Sequence, residues 1–167
     1  GSRVATASAD TFGRVFDSHS GKLLLTLEGN TRGVFDIAYA PDGSRLATAG
    51  ADGSVRVWDA ATGLQQSELR GHSNEVYAVA FSPDGKTLAS AGKDRKIVLW
   101  DVASGVIRHQ RADAHVDRIR DLAYSPDGRW LASASWDGTT KLWQPDLGEV
   151  QRQLSDHTDR VVAVAFR

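Results

Sequence analysis

Cysteine is absent from this 167-residue chain, which excludes disulfides and thiolate metal sites and fits a reducing, cytoplasmic setting. Methionine is absent too, so the chain reads as a processed or excised piece of something longer, or as an engineered sequence. A large charge of either sign is also missing. The net charge is −1, and no field favours nucleic acid or an anionic membrane surface. No apolar run nears the ~20 residues of a membrane span, and no secretory pattern opens the chain. No segment sustains a helical period, and no low-complexity linker divides the sequence. What is there is an ordinary globular composition, 41% hydrophobic and 25% charged, in a chain long enough for one compact core.

The dominant positive signal is repetition, which takes precedence over any local reading. Pro41, Pro83 and Pro126 lie 42 and 43 residues apart, and Asp10, Asp52, Asp94 and Asp137 follow at 42, 42 and 43. Phe16, Trp58, Trp100 and Trp143 keep the same steps, and Asn30, His72, His115 and His157 follow at 42, 43 and 42. Four copies fill the chain.

Within one copy, Gly71–Asp101 shows the grammar. Val76–Phe81 alternates, with Val79 and Phe81 on one face and Ala78 and Ala80 on the other. Ser82-Pro83-Asp84-Gly85 then turns the chain, because Pro presets φ, Asp bonds its own backbone and Gly accepts φ > 0. Thr87–Ala91 and Lys96–Trp100 are the next strands, and the polar run Val106–Arg111 is an exposed outer one. Four short strands per period, with no helix, specify an all-β chain of propeller blades.

The pattern GH…SPDG…D…WD resembles the WD-repeat (WD40) β-propeller family over the whole of 1–167. The resemblance implies four-stranded antiparallel blades around a central channel, acting as a rigid protein-binding platform without catalysis. Gly1–Ala5 aligns with Gly85–Ala89, and Val161–Arg167 with Val76–Ser82, so the first blade is split and 161–166 supplies its innermost strand. Closing four blades on themselves requires about 90° per step and opens wedge-shaped gaps. Two chains forming one eight-bladed ring avoid the gaps, and a homodimer is expected.

His72, Ser90 and Asp94, like His115, Ser133 and Asp137, carry the residue types of a nucleophilic triad. Their recurrence argues for structure over catalysis. Each set, with Trp100 or Trp143, resembles the family's hydrogen-bonded tetrad. Two sets depart from it: His157, Thr6 and Asp10 meet Phe16 in place of Trp, while Thr48, Asp52 and Trp58 meet Asn30 in place of His. Those two blades are expected to be less rigid. The three histidines belong to different blades, so no metal or other cofactor is expected. Family precedent places partner contacts on the face with the turn between second and third strands. Mapped here, that rim comprises Phe35, Glu75, Tyr77, Lys93, Arg118, Arg120, Trp136 and Arg160. Aromatic and Arg side chains of this kind dominate interface energetics. The expected function is therefore a non-enzymatic interaction scaffold for a protein or peptide. The alternative is a propeller fragment, natural or engineered, that self-assembles and has no ligand of its own.

Overall fold

The computed structural model describes residues 1–167 as fifteen strands and no helix, hence no helix long and apolar enough to cross a membrane. The first blade holds β1 (Arg3–Ala7), β2 (Gly13–Asp17) and β3 (Leu23–Leu27). The second holds β4 (Val34–Tyr39), β5 (Arg45–Gly50), β6 (Ser54–Asp59) and β7 (Gln65–Arg70). The third runs β8 (Val76–Phe81), β9 (Thr87–Gly92), β10 (Ile97–Asp101) and β11 (Ile107–Arg111). The fourth runs β12 (Ile119–Tyr124), β13 (Leu131–Ser135), β14 (Thr140–Trp143) and β15 (Arg152–Leu154). Each blade is an antiparallel meander in sequence order, three-stranded in the first and four-stranded in the others.

The blades stack through their inner strands: β1 lies beside β4, β4 beside β8, and β8 beside β12. Three apolar cores fill the three joints. Trp58 packs with Val15, Leu27 and Leu46 between the first and second blades. Trp100 packs with Val55, Val57 and Val79 between the second and third, and Trp143 with Ala89, Ile97 and Leu122 between the third and fourth. Alternation along β8 does what its sequence predicts. Val79 and Phe81 join the core on one side of the blade, and Ala78 and Ala80 the core on the other. The small alanines let neighbouring inner strands approach where the blades converge.

The first blade departs from the other three. With only three strands, its β1 edge has no partner, and Val4 on that strand is half exposed. Residues 161–167 form no strand in this chain. They are nevertheless seated against the fourth blade. Val161 N–H donates to Ser135 O at 2.9 Å, the counterpart of Val34 N–H to Ser8 O between the first two blades. The segment thus occupies the place of a next inner strand without a sheet of its own.

Candidate protein-binding rim and the buried tetrads

Two constellations compete for function. The first is the triad-like set. His72 Nδ1 lies 3.0 Å from Asp94 Oδ2, His72 Nε2 lies 2.8 Å from Ser90 Oγ, and Trp100 Nε1–H donates to Ser90 Oγ at 2.8 Å. The fourth blade repeats this with His115, Asp137, Ser133 and Trp143 at 2.9, 2.7 and 2.9 Å. Proton counting fixes the roles. An indole N–H only donates, so each Ser hydroxyl accepts from Trp and donates its O–H to His Nε2, while His Nδ1–H donates to the carboxylate. Burial pushes the His115 imidazole down, which favours this neutral form even though Asp137 pulls the other way. Burial raises Asp137, but Thr139, the Val116 amide and His115 outweigh it and hold the carboxyl at about 2.

These distances match a catalytic triad, but access does not. Ser90 and Ser133 are fully buried, with the indole seated on the hydroxyl a substrate would have to meet. The sets are clasps that tie the loop before an inner strand to the second and third strands of that blade. Replacing Trp100 by Phe leaves the Ser90 oxygen a buried acceptor without its donor, and should cost about 1–3 kcal/mol in urea unfolding. In the single chain the native Phe16 does not contradict this, because its neighbour Thr6 is exposed. Trp100→Phe and Trp143→Phe variants with no measurable loss of stability would remove the clasp reading.

The other two sets are built differently. His157 is exposed and makes no hydrogen bond to Thr6 or Asp10; Asp10 instead pairs with Arg14 at 2.7 Å. In the second blade Trp58 Nε1–H donates to Thr48 Oγ1 at 3.0 Å, but Asn30 does not reach Thr48. Arg56 fills the gap. Its guanidinium donates to Asn30 Oδ1 at 3.0 Å, Asp52 at 2.9 Å and Glu68 at 2.8 Å, and also to Ser54 Oγ. Sequence reasoning passed over Arg56. Arg14 and Lys141 stand at the same place in the first and fourth blades and Val98 in the third, so the available signal was a basic residue beside the turn Asp in the one blade whose His is replaced by a shorter Asn.

The second constellation is the rim. Each complete inner strand carries a β-bulge, at Val34/Asp36, Val76/Ala78 and Ile119/Asp121. The residue pushed out of the ladder is Phe35, Tyr77 or Arg120, and a bulge re-aims such a side chain away from the sheet. These three meet: the Phe35 and Tyr77 rings pack edge to face at 5.1 Å, and the Arg120 guanidinium lies 4.5 Å over the Tyr77 ring. The Tyr77 hydroxyl donates to Glu75 at 2.6 Å, and Lys93 pairs with Glu75 at 3.3 Å. Gly92 permits that pair. Lys93 N–H bonds Glu75 O at 2.9 Å, and a Cβ on Gly92 would fall 2.0 Å from the same oxygen.

Beside them, Trp136 is held between two guanidinium groups, Arg118 at 4.5 Å and Arg160 at 4.1 Å from its ring centroid. The Trp136 indole N–H and Arg118 Nε have no hydrogen-bond partner. Arg120 and Arg160 make no ion pair, and Arg118 only a long one of 3.5 Å to Asp117. The eight rim residues named from sequence thus fall in two contact groups, Phe35, Glu75, Tyr77, Lys93 and Arg120 in one and Arg118, Trp136 and Arg160 in the other. No three metal-ligating side chains converge anywhere in the chain.

No curated protein matches the sequence. The sequence model of the family described as IFT122 first beta-propeller does match, over residues 34–167, which takes in the three complete blades and the seated C-terminal segment. The chain belongs to that β-propeller family.

Proposed function

We propose that this chain is a non-catalytic interaction scaffold whose bulge rim holds an acidic segment of a protein partner. The observation that carries the reading is the stack of Arg118, Trp136 and Arg160, adjoined by Arg120 on Tyr77. Stacking fixes the guanidinium planes and leaves their N–H edges free for carboxylates, which they can bind in bidentate fashion. Pre-ordered side chains lose little entropy on binding. The buried clasps of the third and fourth blades, by contrast, offer no access.

The test is anisotropy of a labelled oligoglutamate peptide at low salt, against wild type and an Arg120→Ala/Trp136→Ala variant. Wild-type binding that weakens with salt, and weakens by about tenfold or more in the variant, supports the rim. Absence of binding, or binding indifferent to both substitutions, overturns it. That outcome favours the second reading, a self-assembling blade array without a ligand.

We further propose that two copies close one eight-bladed ring, with segment 161–166 of each completing the first blade of the other. Support comes from two unsatisfied edges of matching kind: β1 lacks a neighbour, and the seated segment lacks a sheet. Unpaired edges of this sort are templates for another chain.

A further inference from the structure

The inner strands hide a second, longer period. They read Asp36-Ile37-Ala38-Tyr39, Ala78-Val79-Ala80-Phe81, Asp121-Leu122-Ala123-Tyr124 and Ala163-Val164-Ala165-Phe166. Asp with Tyr alternates with Ala with Phe, so the sequence repeats every two blades here and every one blade elsewhere.

Geometry gives the alternation a physical meaning. Asp36 Oδ1 accepts from its own neighbour Ile37 N–H at 2.8 Å, and Oδ2 accepts from Val79 N–H, on the next blade, at 2.9 Å. Asp121 does the same, with Leu122 N–H at 2.9 Å and Val164 N–H at 2.8 Å. Each Asp therefore satisfies two backbone amides, one on each side of a blade joint. At the intervening joint Ala78 offers no acceptor, and none is needed, because Asp121 already holds the Leu122 amide. Asp blades supply their own amide and that of the following Ala blade. Both carboxylates are partly buried and neither makes an ion pair; burial pushes both up from the usual carboxylate range. A charge kept in such a place needs these bonds to be tolerated.

We propose that the building unit is a pair of blades, and that Asp121 clasps segment 161–166 on the fourth blade as an inner strand presented to a second copy. This rests on the two-chain reading above. Passing through the seam, the order Asp, Ala, Asp, Ala continues into Asp36 of the second copy without a fault. A ring with an odd number of blades places two like blades side by side. Two Ala blades in succession orphan one amide, and two Asp blades leave one carboxylate oxygen without its donor. Only even rings satisfy every joint.

The test combines amide hydrogen exchange at Val79 and Val164 with sedimentation of the whole chain. Asp121→Ala should lower Val164 protection and raise the dimer dissociation constant, each by about tenfold or more, the loss expected for one buried charge-assisted bond. Asp36→Ala removes the same bond at an interior joint. It should lower Val79 protection and leave association unchanged. Asp121→Asn keeps one acceptor oxygen for the two amides and should fall between wild type and Asp121→Ala in Val164 protection, which guards against a misfolded Ala variant. Equal Val164 exchange in wild type and Asp121→Ala overturns the clasp, and so does equal loss of association in Asp36→Ala. A chain that stays monomeric while Val164 protection depends on Asp121 overturns the two-chain reading and upholds the clasp.

Discussion

Replacing Arg56 by Val, the residue at the same place in the third blade, is expected to cost about 3–5 kcal/mol, the range for removing one partner from a buried ion pair. The Arg56 side chain is 3% exposed and Asp52 10%, so water cannot replace what is removed. Asp52 retains bonds from Ser54 and Thr31, and Glu68 retains Arg70 at 2.7 Å. These place the loss nearer the lower bound. Asn30 would be left with neither its acceptor oxygen nor its amide nitrogen paired, since Nδ2 has no partner even now. Adding Asn30→His to Arg56→Val should then return about 2 kcal/mol, the worth of the rebuilt hydrogen bonds to a charged group. A His at 30 can donate from Nδ1 to Asp52 and accept at Nε2 from Thr48, which already receives the Trp58 indole N–H. That is the third blade's arrangement transplanted. Asn30→His alone should destabilise, because imidazole and guanidinium would compete for Asp52. The signature is therefore strong non-additivity in a urea-unfolding cycle. A double variant as unstable as Arg56→Val, or simply additive losses, would show that the two networks are not alternative solutions to one problem.

This pair also marks where sequence legibility ended. The strands, their order, the joint-facing alternation and the clasps of the third and fourth blades follow from the 42- to 43-residue period. Phe35, Tyr77 and Arg120 were found by position, although the bulge that expels them from the ladder leaves no composition of its own. The sandwich of Trp136 needed Arg160 to come in from the segment after the fourth blade, a distance no local pattern encodes. The second blade was expected to be weakened by Asn30, yet Arg56 replaces the missing imidazole with a buried ionic network. The two-blade period in the inner strands was readable, but aligning on the single-blade period obscures it. His157, Thr6 and Asp10 occupy matching repeat positions without sharing a location, because His157 follows β15 of the fourth blade while Thr6 and Asp10 lie in the first, at the other end of the row.

A double variant Ala5→Cys/Ala165→Cys should oxidise to a covalent dimer in place of a cross-linked monomer. The third blade sets the register. There Val76 pairs with Gly92, Val79 with Ser90, Ala80 with Ala89 and Phe81 with Leu88. Carried to the split blade, Val164 faces Thr6, Ala165 faces Ala5 and Phe166 faces Val4 of the other copy. Directly opposed residues on antiparallel strands have Cβ atoms about 4.5–5.5 Å apart, close enough for a disulfide after a small adjustment. The chain contains no other cysteine, so no competing thiol confuses the result. Two-fold closure makes two such seams, and non-reducing electrophoresis should show twice the 18.0 kDa chain mass as the dominant species. Sedimentation of the wild type should give the same doubled mass without any bond. The mispaired control Ala5→Cys/Ala163→Cys puts the thiols two residues out of register and should cross-link far less. An oxidised monomer would mean that 161–166 folds back onto β1 of its own chain, closing four blades on themselves. Free thiols at micromolar concentration in both variants would mean that the two edges never meet, and the eight-bladed ring would fall.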